Sequence, residues 1–213
     1  ETISLAIDLI LEKEGRLDVL VNNAGMGITG PIEDTPTNEM RKVFETNFFG
    51  AIDMMKAVLP QMRKQQSGTI INVTSIAGYM GLPYRGVYSA TKGALDLVSE
   101  AARMEVKEFG VNIVTIAPGD VATNIAAGRY HTPVFDNSAY KEKYQMNLDL
   151  MDSHVDSGMN PIKMAEKIHQ IVNLKQPIVH YKVGAFMEKF SIVLKKILPS
   201  KIYEKLLMNH YKL

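Results

Sequence analysis

A doubly wound α/β fold on a parallel sheet is predicted by three observations. Short runs rich in Val, Ile and Leu recur along the chain, stretches with helical spacing separate them, and the runs close on Asn22-Asn23, Ser75 and Pro118-Gly119. Strand alternating with helix implies neighbouring parallel strands, because a parallel pair needs a crossover that is usually a helix. The 213 residues suffice for one domain with a sizeable core.

Each element follows from its own pattern. Ile3, Ala6, Ile7, Ile10 and Leu11 recur at helical spacing from Thr2 to Glu14, and Gly15 stops them. Leu17 to Val21 is short and apolar, as a strand buried on both faces should be. A loop with Gly25, Gly27, Gly30, Pro31 and Pro36 follows, then a helix opened by Thr37 and running to about Gln66 on the face Val43, Phe44, Asn47, Phe48, Ala51, Met54 and Met55. Thr69 to Thr74 reads as a second strand, Tyr88 to Glu108 as a long helix and Val111 to Ala117 as a third strand. Pro161 opens a helix to Asn173, which leads to a fourth strand, Ile178 to Tyr181. Between Asp120 and Asn160 the periodicity fades, so this stretch is expected to be a mobile flap beside the ligand side of the sheet. Residues 185–213 alternate Phe, Ile, Val and Leu with Lys around a break at Pro199. They form a basic amphipathic tail to the domain of residues 1–184, expected to pack over a pocket or a subunit contact rather than to lie on a membrane.

Composition excludes several classes. With 46% hydrophobic and 22% charged residues the chain is globular rather than disordered, and a net charge of +1 offers no general attraction for nucleic acid. No cysteine is present, which removes disulfides, thiolate metal sites and a Cys nucleophile and suits a reducing, cytoplasmic compartment. No apolar run approaches the roughly 20 residues that span a bilayer, and no signal-peptide pattern opens the chain. The five histidines lack ligand spacing, so no metal is expected. Gly25 to Gly30 fits G-x-G-x-x-G, but Pro31 and Pro36 stand where a phosphate-binding helix should begin. Asn72-Val73-Thr74 fits a glycosylation sequon inside a buried strand and is set aside.

Tyr88 and Lys92 carry chemical content. Four residues apart on one helix, they lie on one face about 6 Å apart along the axis. A phenol titrating near 10 is a poor base at neutrality, but a neighbouring cation favours its ionised form and makes proton exchange feasible. An isolated pair would more often be a packed ring beside a solvated charge. Ser75, at the end of a strand, could bind a reacting oxygen or simply hydrogen-bond its own backbone.

Context decides between these readings. Asn22-Asn23-Ala24-Gly25 at a strand end, Asn47 in the next helix, Ser75 after the next strand, Tyr88-Ser89-Ala90-Thr91-Lys92, and Pro118-Gly119 together resemble the short-chain dehydrogenase/reductase family in order and spacing. The resemblance runs from the first helix to the strand near Ile178. It implies a Rossmann-like sheet and an oxidoreductase that interconverts an alcohol and a ketone or aldehyde with NAD or NADP. Tyr88 is implied as the acid/base, Lys92 as the group that tunes it and holds the nicotinamide ribose, and Ser75 as the group that orients the substrate oxygen. Asn47 is implied as holding a relay water through its backbone. Asn23, Ala24 and Gly25 would pass beside the adenosine half of the cofactor, and Pro118, Gly119, Val121 and Thr123 beside the nicotinamide.

The resemblance also implies a homodimer or homotetramer built on the helices that begin at Thr37 and Tyr88. The family's glycine-rich phosphate strand and two further strand–helix pairs would lie upstream of these residues. The fold is therefore expected to be N-terminally incomplete, with Leu17 to Val21 as an exposed edge and no residue present to distinguish NAD from NADP. Tyr79, Met80, Leu82, Pro83 and Tyr84 are expected to supply apolar surface for a hydrophobic substrate. The competing reading is a catalytically silent dinucleotide sensor or scaffold of the same fold.

Overall fold

The computed structural model describes residues 2–123, 128–134, 136–156 and 158–213. Four parallel strands form the sheet: β1 (Val19–Asn22), β3 (Gly68–Val73), β4 (Val111–Pro118) and β6 (His180–Val183), in the order β1-β3-β4-β6. The register pairs Asn22 with Asn72, Asn72 with Thr115, and Thr115 with His180, so one row crosses the sheet. β2 (Ile28–Thr29) and β5 (Tyr130–His131) pair as a separate small parallel sheet.

Helices cover both faces. Ile70 and Ile113 point to the side packed by α1 (Thr2–Glu14), α3 (Gly50–Gln65) and α4 (Gly86–Glu105), among Ile7, Met55, Val58 and Met62. Their neighbours Ile71 and Val114 point the other way, onto Ile171 and Ile168 of α6 (Pro161–Val172). Successive strand residues face opposite sides, so helices on both sides leave β3 no solvated face and its sequence no polar alternation. Each of these buried aliphatic side chains contributes about 1.5–3 kcal/mol of burial.

Three expectations change. The helix from Thr37 is not uniform: α2 (Thr37–Phe44) passes through a π-helical turn at Glu45–Phe49 into α3. The predicted loop after β1 contains β2. The predicted flap contains β5 and a four-turn helix, α5 (Lys141–Asp156), whose Tyr144, Asn147 and Met151 are buried. Residues 124–127, 135 and 157 of that flap lie outside the described residues. The tail forms α7 (Phe186–Ile197) and α8 (Ser200–His210), with Pro199 between them. Ile192 and Tyr203 pack on Ile76 and Met80, so the tail folds back onto the domain.

Candidate active site

β1, β3 and β4 end at Asn22, Val73 and Pro118 on the same side of the sheet, where open α/β folds hold ligands. Ser75 follows β3 and caps the 3-10 turn Ile76–Tyr79. Its Oγ accepts from the Ala77 N–H at 3.1 Å and donates to Pro118 O at 3.5 Å, the long limit of a hydrogen bond.

Gly78 and Gly93 explain how that turn meets α4. A Cβ on Gly93 would stand 2.8 Å from Gly78 O, and one on Gly78 would stand 3.0 Å from Gly93 N. Larger residues would push turn and helix apart, because neither backbone can yield cheaply. The close approach holds the Ser75 loop beside Tyr88 and Lys92.

Tyr88 and Lys92 are both buried on α4, with Lys92 Nζ 5.9 Å from the Tyr88 ring centre. Lys92 Nζ donates to Val73 O at 2.9 Å. Burial disfavours its charged form and pushes its pKa down to about 8. Arg85, immediately before α4, places its guanidinium carbon 5.5 Å from the same ring centre. Two cationic groups thus flank one phenol, an arrangement favoured by the ring's negative face.

Asn47 lies in the π-helical turn, a local widening that recurs at functional sites. Its side chain accepts from Met26 N–H at 2.8 Å and donates to Met26 O at 2.9 Å and Thr91 Oγ1 at 3.1 Å. Thr91 in turn donates to Tyr88 O. The expected role for Asn47 concerned its backbone; the side chain additionally laces the loop after β1 to the helix of Tyr88. A second buried chain runs across the sheet. Asn22 Nδ2 donates to Asn72 Oδ1 at 2.8 Å, and Asn72 Nδ2 donates to Ser99 Oγ at 2.7 Å. The sequon residue Asn72 is thus wholly buried.

Ser75, Tyr88 and Lys92 line one cavity of about 520 Å³, together with Asn23, Gly25, Pro118, Gly119, Val121 and Thr123. Ala24 is exposed and, among the described residues, is not part of the wall. A second cavity of about 1100 Å³ opens beyond it, under α6, α7 and α8, and shares Ser75, Arg85, Gly119 and Asp120 with the first. Met80 and Leu82 line the larger cavity as expected. Tyr79 and Pro83 do not, and Tyr84 packs its ring instead against Tyr144 at 5.3 Å.

Three contributors escaped the sequence reading. Glu188 of α7 accepts from Asp120 N–H at 2.7 Å and Ala185 N–H at 2.6 Å, clamping the segment between the two cavities. A Cβ on Gly119 would come within 2.2 Å of that carboxylate, so the clamp needs glycine there. Arg85 and Arg129 also line the smaller cavity. Neither arginine nor Glu188 belongs to a spaced motif; only the Gly119-Asp120 turn hinted that something packs closely. Asp96, Glu100 and His180 gather within 4.8 Å, but His180 spends its two ring nitrogens in opposite directions, on Thr115 at 2.8 Å and Glu100 at 2.9 Å. That geometry describes a bridging imidazole better than a ligand turned toward a metal.

Comparison with known proteins agrees with this architecture. The family profile of short chain dehydrogenases matches residues 1–133. A 3-ketodihydrosphingosine reductase of Bacteroides thetaiotaomicron is 38% identical over 97% of this chain and 77% of its own length. A short-chain dehydrogenase from Streptomyces avermitilis superposes with a TM-score of 0.78 at 30% identity, covering 96% of this chain and 75% of its own. ElxO, solved with NADP bound, superposes with a TM-score of 0.67 at 29% identity, covering 85% of this chain and 71% of its own. With its profile matched over more than half its residues and a relative of this identity aligned along nearly all of it, the chain belongs to the short-chain dehydrogenase family.

Proposed function

We propose that the protein interconverts an alcohol and a ketone or aldehyde with NAD or NADP, using Tyr88 as acid/base, on a hydrophobic, lipid-like substrate. The observation that carries the reading is the convergence of Ser75, Tyr88 and Lys92 on one cavity at the strand ends. The cofactor supplies or accepts the hydride; the protein supplies position and the proton.

The residues fit a dinucleotide. The smaller cavity has the size of a ligand site, and Gly25 lies in its wall on the side of Lys92 Nζ and Asn47 Oδ1, either of which a Cβ there would meet at 3.4 Å. Lys92 has three N–H donors, and its bond to Val73 O leaves two to meet ribose hydroxyls. Asn23, Gly25, Pro118, Gly119, Val121 and Thr123 would line the cofactor, with Ala24 shaping the turn from outside.

In reduction, Tyr88 Oη donates its proton to the carbonyl oxygen; in oxidation it takes the proton from the alcohol. Ser75 Oγ can exchange its long bond to Pro118 O for one to that oxygen, which places a donor where negative charge develops. Lys92 favours the ionised intermediate of Tyr88, and Asn47 keeps the loop before it and the helix of Tyr88 in register. The larger cavity would take the substrate's apolar body between Met80, Leu82, Leu194 and Leu207. The relative named as a 3-ketodihydrosphingosine reductase supports a long-chain ketone. A homo-oligomer formed through the exposed Phe49, Leu97 and Met104 near and along α4, in the cytoplasm, completes the proposal.

The test follows reduced-cofactor absorbance across a panel of carbonyls of increasing chain length, in the full-length protein. Tyr88→Phe is expected to lose activity by about 10²–10⁴-fold while still binding cofactor. Equal rates for both proteins on every substrate would remove Tyr88 from the chemistry, and cofactor binding without turnover on the whole panel would favour the silent sensor.

A further inference from the structure

The tail does more than roof a cavity. α7 buries Ile192 and directs Glu188 and Ser191 inward, yet its opposite side carries Phe186, Phe190, Val193 and Ile197. At 100° per residue these four fall within a sector of roughly 60°, facing away from Ile192. Phe186, Val193 and Ile197 are 72%, 47% and 68% exposed, and the Phe186 and Phe190 rings stack at 5.6 Å. Exposed aromatic and branched side chains in one line mark an interaction surface. α8 adds Ile202 and Leu206 one turn apart, both exposed. Met187 and Leu206, exposed themselves, also line the larger cavity, so the apolar surface reaches that cavity's mouth.

Charge identifies the occupant. Residues 185–213 hold six lysines against two glutamates, a net +4, whereas the whole chain carries +1, leaving −3 on the rest. Lys189, Lys196, Lys201 and Lys205 are all exposed beside the apolar residues, while Lys195 lies over the Tyr203 ring and Glu188 is turned inward on Asp120 and Ala185. A second copy docked across a two-fold axis would set these lysines against themselves. An anionic surface with an apolar interior meets both features: lysines reach the headgroups while the stripe enters the acyl boundary. No helix among the described residues is long and apolar enough to cross a membrane, so such contact lies in the interface plane.

We infer that the outer face of α7 and α8 docks on the surface of an anionic lipid bilayer, with the mouth of the larger cavity held against it. The inference uses only the surface and stands apart from the catalytic assignment of Tyr88. It explains why apolar side chains ring an opening that water would otherwise meet.

Vesicle flotation tests it, with phosphatidylcholine alone and with phosphatidylcholine containing phosphatidylserine, alongside light scattering for mass. Wild type is expected to float with the anionic vesicles at least about tenfold better than with neutral ones, and to release in high salt. Phe186→Ser with Val193→Ser and Ile197→Ser should lose flotation with unchanged mass and circular dichroism. Lys189→Glu with Lys196→Glu and Lys201→Glu should lose the anionic preference independently. Wild type left unfloated by either vesicle overturns the inference, as does a serine variant that floats like wild type. An assembly that falls apart in the serine variant, with no flotation of wild type, would assign the face to a second copy instead.

Discussion

The two cavities that meet at Ser75 and Gly119 are built by different means. Walls of the smaller one come from strand ends and from α4, braced from behind by polar side chains that hold one another: Asn47 on Met26 and Thr91, Lys92 on Val73, Asn22 on Asn72, and Asn72 on Ser99. The larger one is closed by α6, α7 and α8 through Leu, Met and Lys side chains, with apolar packing holding the helices in place and Glu188 tying α7 to the turn after β4. A site that positions a reacting atom needs satisfied, geometrically fixed polar groups, whereas a site that accepts an apolar body needs only shape. Substitutions in the first should therefore alter rate or fold, and those in the second should alter which substrate is taken.

Lys92→Met gives the largest contrast, because rate and stability should move in opposite directions. Turnover is expected to fall by about 10²–10⁴-fold as the cation beside Tyr88 disappears. Burial lowers the Lys92 pKa from 10.5 to about 8, so between those values the unfolded chain binds more protons than the folded one. Wild-type stability accordingly rises with pH through that window, and the penalty is fully present below it. That penalty is roughly 3 kcal/mol, offset by about 1 kcal/mol from the bond to Val73 O. The methionine variant should be about 2 kcal/mol more stable than wild type at pH 7 and about 1 kcal/mol less stable above pH 10.5. Denaturant titrations across this range check it; a difference independent of pH would mean that Lys92 carries no buried charge.

Asn72→Ala probes the polar network behind that wall without touching the proton path. It strips the acceptor from Asn22 and one donor from Ser99, both buried, and should cost about 2 kcal/mol. Activity per folded molecule should hardly change. A urea midpoint equal to that of wild type would show the chain Asn22-Asn72-Ser99 to be replaceable.

The contrast also explains what could be read in the sequence. Residues in and beside the smaller cavity sit at strand ends or on successive helix turns, so Asn22-Asn23-Ala24-Gly25, Ser75, Tyr88, Lys92 and Pro118-Gly119 announce themselves by order and spacing. The parallel sheet was legible for a related reason: a strand buried on both faces, such as β3, is apolar without a break. α5 was hidden because its buried face is Tyr144, Asn147 and Met151, with spacing of three and four but little aliphatic character. Tyr144 is buried because its hydroxyl bonds Thr29, a partner 115 residues away that no local window contains. The π-helical turn at Asn47 leaves no periodic trace over five residues. The tail showed its amphipathic alternation, but period alone does not reveal that α7 is apolar on two opposite sides.

Glu188→Ala tests the joint between the cavities. It leaves the Asp120 and Ala185 N–H groups without their carboxylate and frees the Gly119 segment that both cavities share. Loss of positioning should raise KM for cofactor and substrate together by about tenfold, since one charge-assisted hydrogen bond is worth about 1.5 kcal/mol. Glu188→Gln, which keeps an acceptor, should recover most of it. A kcat effect with unchanged KM values would move Glu188 from positioning to chemistry.

Leu207→Ala should have the narrowest effect, confined to one class of substrate. Leu207 packs with Ile192, Tyr203 and Met80 and lines only the larger cavity. Removing its side chain widens the space for an apolar body and leaves the Ser75, Tyr88 and Lys92 wall untouched. A missing methylene contact changes discrimination by about 1–3 kcal/mol, so kcat/KM should fall roughly tenfold for long-chain carbonyls and stay level for short ones. Because short substrates never reach Leu207, a uniform loss across chain length would mean that the two cavities act as one, and that the tail helps position the reacting atom as well as the apolar body.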